Sequence, residues 1–97
     1  MTTLHIEHAI SDFTAWKASF DRYSGLRAEA RVRSFEISQP DDDPLYVMVR
    51  LELDNAEDAR ALLEKVRELW ANREATPAFR GSPRVSILTS KERRQLG

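Results

Sequence analysis

Leu45-Tyr46-Val47-Met48-Val49-Arg50-Leu51-Glu52-Leu53 runs through Asp54 and Asn55 straight into Ala56-Glu57-Asp58-Ala59-Arg60-Ala61-Leu62-Leu63-Glu64-Lys65-Val66-Arg67-Glu68-Leu69-Trp70, and this stretch decides the fold. In its first half Leu45, Val47, Val49, Leu51 and Leu53 share one parity, while Tyr46, Met48, Arg50 and Glu52 share the other. That is the period-two pattern of a strand with one dry face. In its second half Ala59, Leu62, Leu63, Val66, Leu69 and Trp70 recur at intervals of three and four, so one helical stripe is apolar and has to be buried. Asn55, with Asp58 three residues on, marks the helix start. Glu57, Arg60, Glu64 and Arg67 occupy the opposite face at spacings that allow ion pairs of roughly 0.2–0.5 kcal/mol each. That face meets solvent and carries no functional signal.

Upstream, Leu4, Ile6 and His8 alternate with Thr3, His5 and Glu7, so residues 3–9 read as a first strand. Ser11 or Asp12 then caps a helix with Phe13, Trp16, Phe20 and Tyr23 along one stripe; Ser24-Gly25 reads as its end, leaving 26–30 unassigned. Residues 31–38 form a second strand in which Val32 falls out of parity with Phe35 and Ile37, as at a bulge. Gln39-Pro40-Asp41-Asp42-Asp43-Pro44 is the polar turn that reverses the chain. Downstream of Trp70 the helix runs into residues 72–76 and must stop near Pro77, which has no amide hydrogen. Phe79 then falls in a loop, Gly81-Ser82-Pro83 opens a last strand from Arg84 to Ser90, and Lys91 to Gly97 is a charged tail.

Strand-helix-strand thus occurs twice, which predicts one ferredoxin-like α+β domain, βαββαβ, over residues 1–90, followed by the tail, 91–97. The sheet is antiparallel and four-stranded in the order four-one-three-two, with both helices on one face. By parity the bare face holds His5, Glu7, Tyr46, Met48, Arg50 and Glu52, with Arg31 or Arg33 beside them. Charge mixed with Tyr46 and Met48 favours burial against a second copy in a symmetric homodimer over a wet monomer face.

At 97 residues there is room for one core. A net charge of −1, from 15 basic and 16 acidic residues, gives no global attraction to nucleic acid or an anionic membrane. The absence of cysteine removes disulfides, thiolate zinc sites and cysteine nucleophiles. Met1 to Ala9 alternates and carries Glu7, unlike a secretion signal, and no apolar run approaches membrane-spanning length. The expectation is a soluble, cytoplasmic protein.

The order of elements, the opening strand ending in His8, the segment Asp12-Phe13-Thr14-Ala15-Trp16-Lys17-Ala18-Ser19-Phe20-Asp21 and the Asp-Asp-Asp-Pro turn before a valine-rich strand resemble the dimeric α/β-barrel superfamily, and within it the small stand-alone relatives of antibiotic-biosynthesis monooxygenases. The resemblance spans residues 2–90. It implies two sheets facing each other across a dimer as a barrel, and a small pocket between each sheet and its own helices. It also implies activities as different as cofactor-independent oxygenation, haem degradation, isomerisation and cyclisation, so it speaks to fold more than to chemistry. Haem-degrading relatives bind iron through a histidine on or after the second helix, and this chain has none after His8. The cofactor-free oxygenase branch uses tryptophan, asparagine or tyrosine beside an aromatic substrate; Trp16, Tyr23, Trp70 and Asn72 supply those residue types. No cofactor is expected.

His8 is the candidate catalytic residue. On the parity of Leu4 and Ile6 it points to the helix-covered side, where an imidazole can act as a base or orient a ligand carbonyl; the alternative is a half-buried histidine bonded to backbone at a strand end. Trp16, Phe20, Tyr23, Trp70 and Phe79 are the candidate ligand-binding residues, an aromatic lining for a flat ligand with Phe79 as a loop flap. The alternative is that they are core residues at helical spacing. His5 and Glu7 share a strand face but lack a third metal ligand, so no metal site is assigned, and Arg50 and Glu52 read as dimer contacts. RNA-recognition domains have the same element order, but Leu45-Tyr46-Val47-Met48-Val49-Arg50 lacks their glycine-aromatic signature. Acylphosphatase needs a glycine-rich phosphate cradle, and Ala9-Ile10-Ser11-Asp12 is not one. The leading expectation is a homodimer with a small aromatic ligand between sheet and helices, supporting cofactor-independent monooxygenation. The competing one is a non-enzymatic dimeric binding or regulatory module, or a subunit of a mixed assembly.

Overall fold

The structure, a computed structural model, describes residues 1–72 and 76–97. The elements are β1 (Thr2–Ile10), α1 (Phe13–Arg22), α2 (Ser24–Glu29), β2 (Ser34–Ser38), β3 (Tyr46–Leu53), α3 (Ala56–Ala71) and β4 (Phe79–Thr89). The four strands form one antiparallel sheet in the order β2-β3-β1-β4, the predicted ferredoxin-like arrangement with one additional short helix, α2. Among the described residues no helix is long and apolar enough to cross a membrane.

The alternation in β3 buries Val47, Val49, Leu51 and Leu53 together with Leu4, Ile6 and Ile10 of β1. Leu45 departs from the pattern and is 52% exposed. Its amide is taken by Asp43 Oδ1 at 2.9 Å within the turn, so the strand starts one residue later. The caps are as expected: Asp12 accepts from the Ala15 amide and Asn55 from the Asp58 amide, each at 2.8 Å. These bonds satisfy amides that the first helical turn leaves without partners. On α3 the apolar stripe is covered unevenly. Ala59 and Leu62 are fully buried, whereas Leu63 is only partly covered, as are Val66, Leu69 and Trp70, which border a cavity.

Four readings of the sequence need correction. Ser24-Gly25 does not end the helical region: Tyr23 breaks α1, and α2 follows at once with the Leu26 amide bonded to the Tyr23 carbonyl. Val32 is no bulge but precedes β2, after Arg31 has turned the chain with a φ of 66°; the β2–β3 register is unbroken. Neither Arg31 nor Arg33 joins the open sheet face. Arg33 pairs with Asp54 at the sheet end, and β2 contributes Ser34, Glu36 and Ser38 instead. Finally, β4 begins at Phe79, five residues before Arg84. Glu7 pairs with Arg84 but Ala9 with Arg80, so Gly81, Ser82 and Pro83 bulge out opposite His8. Gly81 supplies the left-handed φ of 69°, and Pro83 sits where no ladder amide is required. The predicted helix extension through 72–76 lies partly outside the described residues; α3 ends at Ala71, with Asn72 as its cap. Residues 91–97 are exposed and form neither helix nor strand.

Candidate functional site

His8 sits where β1 loses its partner on β4. It is 3% exposed, and its Nδ1 lies 3.0 Å from the Ala9 carbonyl oxygen. A carbonyl only accepts, so Nδ1 must carry the hydrogen, and in the neutral ring Nε2 is left with its lone pair. Among the described residues no group bonds that nitrogen. Burial pushes the His8 pKa below its ordinary value, opposed in part by the bond to Ala9. The ring is therefore a neutral acceptor at pH 7. The histidine is bonded to backbone at the strand end, as the second reading has it, but it is fully rather than half buried, and it faces a cavity.

That cavity, of about 100 Å³, lies between the sheet and the helices. Ile6, His8 and Val49 form its floor; Trp16, Ser19 and Phe20 of α1 form one wall, and Leu62, Val66, Leu69 and Trp70 of α3 the other. Tyr23, Leu26 and Arg27, all half-buried, edge it, and Thr76 and Phe79 close the end. The size is of the order of an engineered apolar cavity of roughly 150 Å³ that binds benzene. All six residues singled out in the sequence line this space.

The aromatic side chains form a row of successive contacts. Phe79 stacks on His8 with centroids 3.9 Å apart, His8 and Trp16 are 6.2 Å apart, and Trp16 stacks on Phe20 at 5.1 Å. Trp70 meets Phe79 at 6.1 Å. The flap reading of Phe79 is thereby corrected: as the first residue of β4, paired with Ile10, it is held against the imidazole.

Arg27 was not singled out from the sequence. Its guanidinium lies over the Phe20 ring, 3.8 Å from the centroid, and 5.2 Å from that of Phe35. One terminal nitrogen donates to the Phe20 carbonyl at 2.8 Å. Burial lowers its pKa somewhat, opposed by Asp21, yet a guanidinium stays charged at any relevant pH. Ser19, also missed, was findable: it lies three residues after Trp16 on the same stripe. Arg27 was hidden because Ser24-Gly25 looked like a helix stop.

On the open face, Glu7 accepts from Tyr46 Oη at 2.7 Å and from His5 Nε2 at 2.8 Å. These two bonds lower the Glu7 pKa, and the same carboxylate raises that of Tyr46. Thr3 caps Glu52 in the same way at 2.8 Å. No cluster of three metal-ligating side chains occurs among the described residues.

No family model and no curated protein matches the sequence. Solved structures do match along nearly the whole chain. SnoaB, a cofactor-independent oxygenase from Streptomyces nogalater, superposes with a TM-score of 0.72 at 11% identity, covering 95% of this chain and 94% of its own. The chain shares the ferredoxin-like fold of these structures. A monooxygenase of Streptomyces coelicolor in complex with the ligand nanaomycin D matches with a TM-score of 0.65 at 12% identity, over 99% of this chain and 92% of that one. A dimeric ferredoxin-like protein from an uncultured marine organism matches at 0.66 and 9%, over 99% and 100%. At such identities the likeness is one of fold.

Proposed function

We propose that the protein is a homodimer that binds a small aromatic compound in the cavity beneath α1 and α3 and oxidises it with dioxygen, without a cofactor. The observation that carries this reading is the His8 imidazole, locked by Ala9, with its Nε2 lone pair unbonded among the described residues, on the floor of a largely apolar cavity. Such a base can take the proton from a ring hydroxyl. The resulting phenolate is electron-rich enough to pass an electron to dioxygen; a C–O bond then forms at the ring carbon para to it. Loss of water leaves a quinone, so one phenol and one dioxygen yield one quinone and one water, and no external reductant is needed. The apolar walls favour the neutral base and exclude competing solvent. The fold shared with SnoaB supports the oxygenase reading, and the dimeric neighbour supports assembly through the open face.

The test is a thermal-shift panel of phenolic polyketide-like aromatics, flavin, haem and simple metals on the wild type and His8→Ala, followed by oxygen-electrode measurements on any aromatic that binds. The expected outcome is a shift with one aromatic class, and oxygen uptake that falls at least about a hundredfold in the variant. Binding with no oxygen uptake in the wild type would leave a binding module and reject the enzyme.

A further inference from the structure

Among the described residues that line the cavity, Arg27 is the one that carries a permanent charge; the rest are apolar or neutral polar side chains. Burying part of a guanidinium is unfavourable unless it is paired, and among the described residues no carboxylate lies within ion-pair distance of it. Asp21, the acid that acts on it through space, is itself held by Lys17 at 2.7 Å. The Phe20 and Phe35 rings offset part of the cost by cation–π attraction. They also fix the plane of the group, and the Phe20 carbonyl holds one terminal nitrogen. The remaining N–H donors have no partner among the described residues, which leaves a rigid, charged fork at the edge of an aromatic cavity of single-ring size.

Resting on the reading of this cavity as an aromatic-binding site, we infer that its ligand carries a carboxylate: a benzoate-class aromatic acid, with the ring in the cavity and the acid on the Arg27 fork. A carboxylate matches a guanidinium in planarity and can take two parallel N–H bonds, which neither a phenol nor a ketone can. The acid supplies the counter-charge that Arg27 lacks among the described residues. Arg27 is a binding residue in this scheme and takes no part in proton transfer.

The experiment is calorimetric titration of the wild type with benzoate and with benzamide, which has the same shape and no charge, repeated on Arg27→Gln and Arg27→Lys. Benzoate is expected to bind at least about tenfold more tightly than benzamide to the wild type. Arg27→Gln should bring the two to parity, and Arg27→Lys should keep part of the preference. Equal binding of the two probes by the wild type overturns the carboxylate inference and leaves the aromatic site standing. No binding of either, at concentrations up to their solubility, overturns both. The wild-type comparison decides even if losing the anchor on Phe20 unfolds the glutamine variant.

Discussion

His8 is tied to pH by its burial. In the unfolded chain the imidazole titrates near its ordinary value of 6.5, whereas in the fold burial holds it lower. Between the two values the unfolded chain carries the additional proton, so acid favours unfolding. The stability that neutral His8 contributes is complete above 6.5 and is lost as pH falls through the folded value. Scanning calorimetry from pH 7.5 down to about 5 should therefore show a falling Tm in the wild type and a flatter profile in His8→Gln. If His8 is the base, oxygen uptake should decline on the same acidic limb. The orientation of this residue was legible from strand parity alone. Its lone pair was not, because the tautomer depends on the Ala9 carbonyl, whose position is set by the bulge in the neighbouring strand.

Two glycines separate what local sequence tells from what it hides at the level of elements. Gly25 lies inside α2 with an ordinary backbone conformation and open space around the position of a Cβ. Gly25→Ala should stabilise the protein by roughly 0.5–1 kcal/mol, since alanine restricts the unfolded chain and suits a helix. Gly81 also has open space but a φ of 69°, so Gly81→Ala should cost about 1 kcal/mol or more through backbone strain alone. Opposite displacements of the urea midpoint would verify the pair. The organising strand and helix could be read because parity and stripe are local signals, confirmed at Val47 to Leu53 and at Ala59 and Leu62. The start of β4 could not, because Gly81-Ser82-Pro83 looks like punctuation and its role as a bulge exists only against Glu7 and Ala9 of β1. The same reasoning explains Arg27: a helix restarting across Ser24-Gly25 has no signature in those two residues.

Across the whole molecule, the open sheet face is arranged in rows, with Glu36, Arg50, His5 and Ser86 in one and Ser38, Met48, Glu7 and Arg84 in the next. Opposite charges already adjoin within each row, and Leu88, 42% exposed, sits on the same face. Light scattering should give about twice the 11.2 kDa chain mass, and Met48→Asp, which places a charge at the centre of this face, should give the single-chain mass with the fold retained. A wild-type monomer would mean that the face is wetted. One further property follows from the walls of the cavity. The chain has two tryptophans, Trp16 and Trp70, and they stand on opposite sides of the same small space. All of its indole emission therefore originates beside the site, and an occupant that quenches one ring or excludes water from it alters the whole signal. The molecule is its own optical probe, and occupancy can be followed in real time on the unlabelled protein.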